Sequence, residues 1–232
     1  MDVSAGNARP IAIFGAGGFG REVLQVVLDI NAQAGADAPW RPIGFIVDGA
    51  SAGDPVHGLP VLGGIEWLGR HPDTAYVVAV GSSAARQRIV RRIVAACPNP
   101  AASLVHPRAW LGDNIEVGPG SVLCAGSLLT TDIRIGGHVH VNIGATIGHD
   151  AVLGDFVTLN PGVNVSGNVT LHEGVQVGTG SVIIPRIEIG QWTVLGAGAV
   201  VTRSLEANVT AVGAPAKPIK TRPAGWHEGA AA

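Results

Sequence analysis

Two short stretches hold residues whose types and spacing could do chemistry. In TIGHDAVLGD, residues 146–155, His149 is followed directly by Asp150 at a bend in a run of regularly spaced aliphatics. An imidazole titrates close to neutral pH and suits proton transfer. In GAGGFG, residues 15–20, glycines follow the apolar run IAIF. Glycines so placed let a phosphate or sugar approach backbone N–H groups at a helix N-terminus.

The glycine loop needs a strand before it and a helix after it. Ile11–Phe14 reads as the strand, and Leu24, Val27 and Leu28 recur at helical spacing. IGFIVDG, residues 43–49, reads as a second strand ending at Asp48. AYVVAVGSS, residues 75–83, reads as a third, followed by a basic helix from Arg86 to Val94. The expectation is a Rossmann-like βαβαβ unit over residues 9–100. Gly15, Gly17 and Gly20 keep the dinucleotide spacing, yet so short a unit holds only one nucleotide half. A nucleotide-sugar site is the leading reading of the loop; NAD binding and purely structural glycines are the others.

The bend at His149 belongs to a repeat. From Val105 to Val201 every sixth residue is Val, Leu or Ile. Gly often follows, as at Gly112, Gly136, Gly148 and Gly178, and a small or β-branched residue stands four after, as at Ser121, Ala145 and Val163. A period of six fits neither a helix nor an alternating strand. It fits a parallel β-helix over residues 103–202, three hexapeptides to a coil, with residues 18 apart stacked. Thr131 and Gly167 are then the neighbours of His149 along the stack, and Gly167 leaves space beside the imidazole.

Composition narrows the function. Aromatics are 4% of residues and Gly numbers 34 of 232, which disfavours a helical bundle. The formal charge of −2 gives no basic field for nucleic acid. Cys97 and Cys124 make neither a disulfide framework nor a metal cluster, and a reduced, cytoplasmic setting fits. MDVSAGNARP lacks a signal pattern, and no apolar run is long enough for a membrane span.

The hexapeptide pattern resembles the left-handed β-helix of the hexapeptide-repeat acyltransferases; the left hand is implied by that resemblance. With the glycine-rich front unit and the ending VGAPAKPIK, residues 212–220, the chain looks like the bacterial sugar acetyltransferases of the sialic-acid O-acetyltransferase-like family. That family includes N-acetyltransferases of nucleotide-linked 4-amino-4,6-dideoxy sugars, of GDP-perosamine or UDP-4-amino-sugar type. The resemblance implies acetyl-CoA as cosubstrate, no metal, and a homotrimer with acetyl-CoA between subunits. It implies a part in surface polysaccharide or glycan synthesis. It implies His149 as general base for the sugar amine, Asp150 as its orienting partner, and Asn142 seven residues before. Gly167 and Thr179 fall on backbone contacts to acetyl-CoA. Gly17, Gly18, Phe19, Asp48, Gly81 and Arg86 fall on nucleotide-sugar contacts. Several relatives carry a second His, thought to contact the thioester carbonyl, where this chain has Thr158, and often a His where it has Phe19.

Blander readings stand beside these. His149 could be a solvated turn residue, and Asp150 a bend residue like Asp132 and Asn168 on its ladder. Asn142 and Asn160 are 18 apart and could form a structural ladder. Arg86 could simply cap its helix. His138, His140 and His172 read as surface or groove residues, Cys124 as packing, and residues 221–232, within a C-terminal segment 203–232, as a loose tail. O-acetylation of a sialic acid or another sugar hydroxyl is the nearest rival function. A carbonic-anhydrase-like zinc protein and a non-catalytic scaffold are rivals of other classes.

Overall fold

The computed structural model describes residues 8–49 and 55–229. The front unit is a four-stranded parallel sheet. Its strands are β1 (Arg9–Phe14), β2 (Trp40–Ile46), β3 (Val61–Gly63) and β4 (Ala75–Val78), in the order β3-β2-β1-β4. Helix α1 (Gly18–Ala34) follows β1, short α2 (Ile65–Gly69) follows β3, and α3 (Ser83–Ala96) follows β4. The expected strands and helices are all present; β3 and α2 add to the βαβαβ unit. Three residues of strand and five of helix are too few to show a period.

The strands of this sheet are apolar because both faces are covered. Ile11 and Ile13 pack with Val23, Val26 and Val27 of α1. Ala12, Phe14, Tyr76 and Val78 pack with Leu68, Val90 and Ile93 of α2 and α3.

Residues 104–212 wind into a three-faced parallel β-helix. Face 1 stacks the strands Leu104–Val105, Val122–Leu123, His140–Val141, Thr158–Leu159, Gln176–Val177 and Val194–Leu195. Val209–Val212 continues it, and Lys217–Thr221 closes the edge as an antiparallel strand. Face 2 runs from Trp110–Leu111 through Thr146–Ile147 to Val200–Val201. Face 3 runs from Ile115–Val117 through Val152–Leu153 to Glu188–Ile189. The register shift between coils is 18 residues throughout faces 2 and 3, as in Thr146 beside Leu128 and Asn164.

From Leu123 to Val201 every sixth residue lies in one continuous buried core. Leu111 and Val117 are only partly buried at its first coil, and Val105 is exposed. The three corners each use a left-handed backbone residue. Between faces 1 and 2 the left-handed residues include Gly126, Gly144, Gly162, Gly180 and Gly198. Between faces 2 and 3 they are Asn114, Asp132, Asp150, Asn168 and Arg186; between faces 3 and 1, Gly120, His138, Phe156, Gly174, Trp192 and Asn208. Asn and Asp tolerate this conformation better than other side chains, which accounts for the acidic and amide ladder that contains Asp150.

The front unit lies on face 1. His140 and Thr158, whose side chains point outward from that face, are fully buried beneath it. His140 Nε2 donates to the Val78 carbonyl at 3.0 Å, and its ring lies 4.8 Å from that of Phe19. His138 sits on Phe156, with parallel rings 5.4 Å apart, and is buried too. The expectation that His138 and His140 line a surface or groove is therefore corrected. The front unit covers them, and its weight of apolar contact favours neutral rings there.

Residues 221–229 are likewise no loose tail. The His227 ring stacks on Trp192 at 3.7 Å, its carbonyl accepts from Arg88, and Glu228 pairs with Arg91 at 3.1 Å. Helix α3 is thus held on one side by the β-helix and on the other by the chain end.

Candidate active site

His149 stands at the corner between faces 2 and 3, two residues past the core position Ile147. Its Nδ1 is 2.7 Å from Asp150 Oδ2, and the two side chains are 58% and 55% exposed. A proton on Nδ1 donated to Asp150 leaves Nε2 as the free acceptor, the arrangement a general base requires. One coil further on, Gly167 faces the ring: a Cβ there would lie 2.6 Å from His149 Nε2. The space beside the imidazole therefore depends on the missing side chain.

Asn142 is on the same coil at a different corner, between faces 1 and 2. Its Nδ2 donates to the Leu159 carbonyl at 2.9 Å, and Asn160 does the same to Val177 at 2.7 Å. The Asn ladder is structural in form, and it lies across face 2 from His149. Thr179 shares the Asn142 corner, one residue before the left-handed Gly180. His149, Asp150 and Gly167 are thus brought together in one chain, while Asn142 and Thr179 are gathered one corner away.

The front-unit residues form a second group. The β3-β2-β1-β4 order reverses between β1 and β4, and ligands of such sheets bind beyond the strand ends at that reversal. There the loop Gly15–Phe19 meets Val80–Gly81. A Cβ on Gly20 would come 1.8 Å from the Gly15 carbonyl, so glycine is needed for helix α1 to close on β1. Gly17, Gly18 and Gly81 have open space at their Cα atoms. Asp48, after β2, is bound by Arg92 of α3.

Two expected contact residues are placed elsewhere. Thr158 is buried where the front unit meets face 1, bonded to Ser83 Oγ at 2.9 Å rather than facing His149. Arg86 is completely buried beside it, with its donors committed to the protein interior. No signal in the sequence marks this placement, because the Arg86 partners are mostly backbone carbonyls. His172, exposed as expected, pairs with Glu188 at 2.6 Å. Among the described residues of one chain no three His, Cys, Asp or Glu side chains converge as a metal site requires. Cys124 is buried, and burial pushes its thiol up to about 12, in keeping with packing.

A three-faced β-helix with an exposed His–Asp pair on one corner, capped on the opposite face by a small nucleotide-binding-type sheet, defines a two-domain acetyltransferase. The family described as PglD N-terminal domain matches residues 10–93, and that described as bacterial transferase hexapeptide (six repeats) matches residues 168–203. The chain is 30% identical to the acetyltransferase domain of PglB from Neisseria gonorrhoeae FA1090, solved in complex with acetyl coenzyme A; the match covers 91% of this chain and 100% of that one, with a TM-score of 0.81. The chain belongs to this family of left-handed β-helix acetyltransferases with a PglD-type front domain. It is also similar to PerB from Caulobacter crescentus, solved with CoA and GDP-perosamine: 28% identity over 91% of this chain and 97% of that one, TM-score 0.81. Among curated proteins it resembles the GDP-perosamine N-acetyltransferase of Escherichia coli O157:H7, 32% identical over 133 residues. That match takes in 56% of this chain and 58% of the relative's length.

Proposed function

We propose that this chain is an acetyl-CoA-dependent N-acetyltransferase acting on the 4-amino group of a nucleotide-linked dideoxy sugar. The observation that carries the reading is the exposed His149–Asp150 pair with the cleared space over Gly167. It sits on a fold shared almost end to end with an enzyme solved with CoA and GDP-perosamine.

The chemistry follows from that pair. The sugar ammonium first loses a proton to solvent. The free amine then attacks the thioester carbonyl, and His149 Nε2 takes the second proton as the C–N bond forms. Asp150 holds the Nδ1 proton and stabilises the imidazolium. The C–S bond breaks, and the imidazolium proton goes to the departing CoA thiolate. Positioned proton transfer contributes about 10²–10⁴-fold, and holding amine and thioester together supplies much of the rest.

The active unit in this reading is a homotrimer with sites between subunits. Face 1, which carries the front unit, lies opposite the corner that carries His149. In this reading an amino sugar held by one copy meets His149 of another. Exposed Trp110, Leu128 and Val182 on face 2 give that contact an apolar surface.

The test is thiol release from acetyl-CoA with UDP-, GDP- and dTDP-linked 4-amino sugars, beside free sialic acid. Turnover of one nucleotide amino sugar is expected. Turnover of sialic acid alone would move the reaction to a hydroxyl acceptor. His149→Asn should lose about 10²–10⁴-fold in kcat with CoA affinity retained.

A further inference from the structure

We infer that Arg86 is a positioning residue: it fixes the substrate loop of the front unit to the one coil that carries His149 and Asp150. The inference rests on the proposed function for its kinetic consequences and on geometry alone for the link itself.

Arg86 lies one turn into α3 and is 0% exposed. No carboxylate pairs with it among its hydrogen-bond partners. Nη1 donates to the carbonyls of Val80 at 2.8 Å and Gly81 at 3.5 Å, within its own unit. Nε donates to the His138 carbonyl at 2.8 Å. Nη2 donates to the carbonyls of Phe156 at 2.8 Å and Val157 at 3.2 Å, and to Thr158 Oγ1 at 2.9 Å. Every guanidinium nitrogen is engaged. Burial alone pushes the group down to about 9, so it stays charged at neutral pH.

The identity of the acceptors matters. His138 and Phe156 are the left-handed corner residues that begin and end a single 18-residue coil. His149 and Asp150 are on that coil and on no other. Val157 and Thr158 follow directly on Phe156, at the start of the next coil, and Val80 and Gly81 belong to the loop that faces Gly15–Phe19 across the β1–β4 crevice. One planar fork therefore ties the crevice to both ends of the catalytic coil. Ser83 to Thr158 at 2.9 Å and Gln87 to Glu173 at 2.7 Å fasten the same turn of α3 to the next coil. A lysine could reach only part of this set, because it lacks the fixed fork.

If sites lie between subunits, the crevice of one copy faces the His149 corner of its neighbour. The angle at which each front unit stands on its own β-helix then sets where the amine meets the base. A misplacement of the order of 1 Å costs about 10²-fold in rate.

Arg86→Lys and Arg86→Gln in the full chain test this. With the nucleotide amino sugar that the wild type turns over, we expect kcat to fall about 100-fold. CoA affinity and affinity for the free nucleoside diphosphate should stay close to wild type, and Lys should restore part of the loss that Gln shows. Unchanged kcat with a lowered Tm would reduce Arg86 to a stability brace and overturn the inference. Lost nucleoside diphosphate affinity at unchanged kcat would make it a direct ligand and overturn it equally. Amide hydrogen exchange gives a readout independent of activity: residues 79–82 and 137–139 should lose protection together. Separate behaviour of the two segments would break the link even in a protein with no turnover. Should both variants fail to fold, Thr158→Val with Ser83→Ala loosens the same junction. It must then raise exchange in both segments and lower kcat, and no change in either would overturn the inference.

Discussion

At the residue scale the site turns on what Gly167 leaves out. The imidazole of His149 has Asp150 on one side and bare backbone on the next coil. Gly167→Ala would put a methyl group 2.6 Å from Nε2, closer than any real contact allows. The ring must swing away, and Asp150 would lose its hold on Nδ1. We expect a kcat loss approaching that of His149→Asn with little change in Tm, since residue 167 lies on an outer corner; steady-state kinetics beside a thermal melt would show it. A full-rate Gly167→Ala would mean the thioester does not approach over that coil. Asp150→Asn is the gentler probe. Asn keeps the left-handed corner that Asn114 and Asn168 adopt on the same ladder, so the fold should be untouched while the charge on the pair is gone. A drop in kcat with a normal melt would separate Asp150's chemistry from its place in the bend.

At the element scale the junction under the front unit is the sensitive part. Burial, aided by the nearby Arg86 charge, lowers His138 to about 4 and holds His140 well below the ordinary histidine value; Asp155 pulls His138 the other way. Folding therefore favours the uncharged rings. Above pH 6.5 neither folded nor unfolded chain is protonated there, and the full stability is present. As pH falls from 6.5 toward 4, the unfolded chain takes up protons that the folded junction refuses, and stability is lost. His138 alone accounts for roughly 3 kcal/mol of that loss. The urea midpoint should fall steadily between pH 6.5 and pH 4.5, and His138→Gln should flatten the slope. A flat profile in the unaltered protein would place water or a counter-charge in the junction.

This junction also marks where the sequence stopped being readable. The β-helix was legible because each inward position repeats the same demand every six residues, from Leu123 to Val201. The space over Gly167 followed from the 18-residue stack, and the role of His149 from its Asp neighbour at a bend and from the family resemblance. Phe156, His138 and Thr158 fit the repeat as well as any other residues. Nothing in their types says that a second unit lies over them, and Arg86 reaches backbone atoms that every residue possesses. The C-terminal segment hid for another reason. Trp226 and His227 stand among Pro, Gly and Ala with no period to mark the segment as packed.

At the scale of the whole molecule the proposal is an assembly. In that proposal one chain offers a catalytic corner, an apolar face beside it, and a substrate crevice on the opposite side. Trp110→Glu with Leu128→Glu should break self-association, shifting the mass by light scattering from about three chains to one, and abolish turnover while the isolated chain keeps its β-helix circular dichroism. A stable, fully active monomer would return the site to a single chain and leave the separation of crevice and corner unexplained.

The 18-residue coil also sets a reading frame for insertions and deletions. Removing six residues between Asn142 and Phe156 would rotate everything beyond the cut by one face, carrying Thr158 from beneath the front unit to an outer wall and stripping Arg86 of half its acceptors. Removing the 18 residues 170–187 would instead lift out one storey and leave every wall aligned. The lineage of such a chain should therefore show length changes in whole storeys, or in bulges confined to corners, and seldom in single hexapeptides.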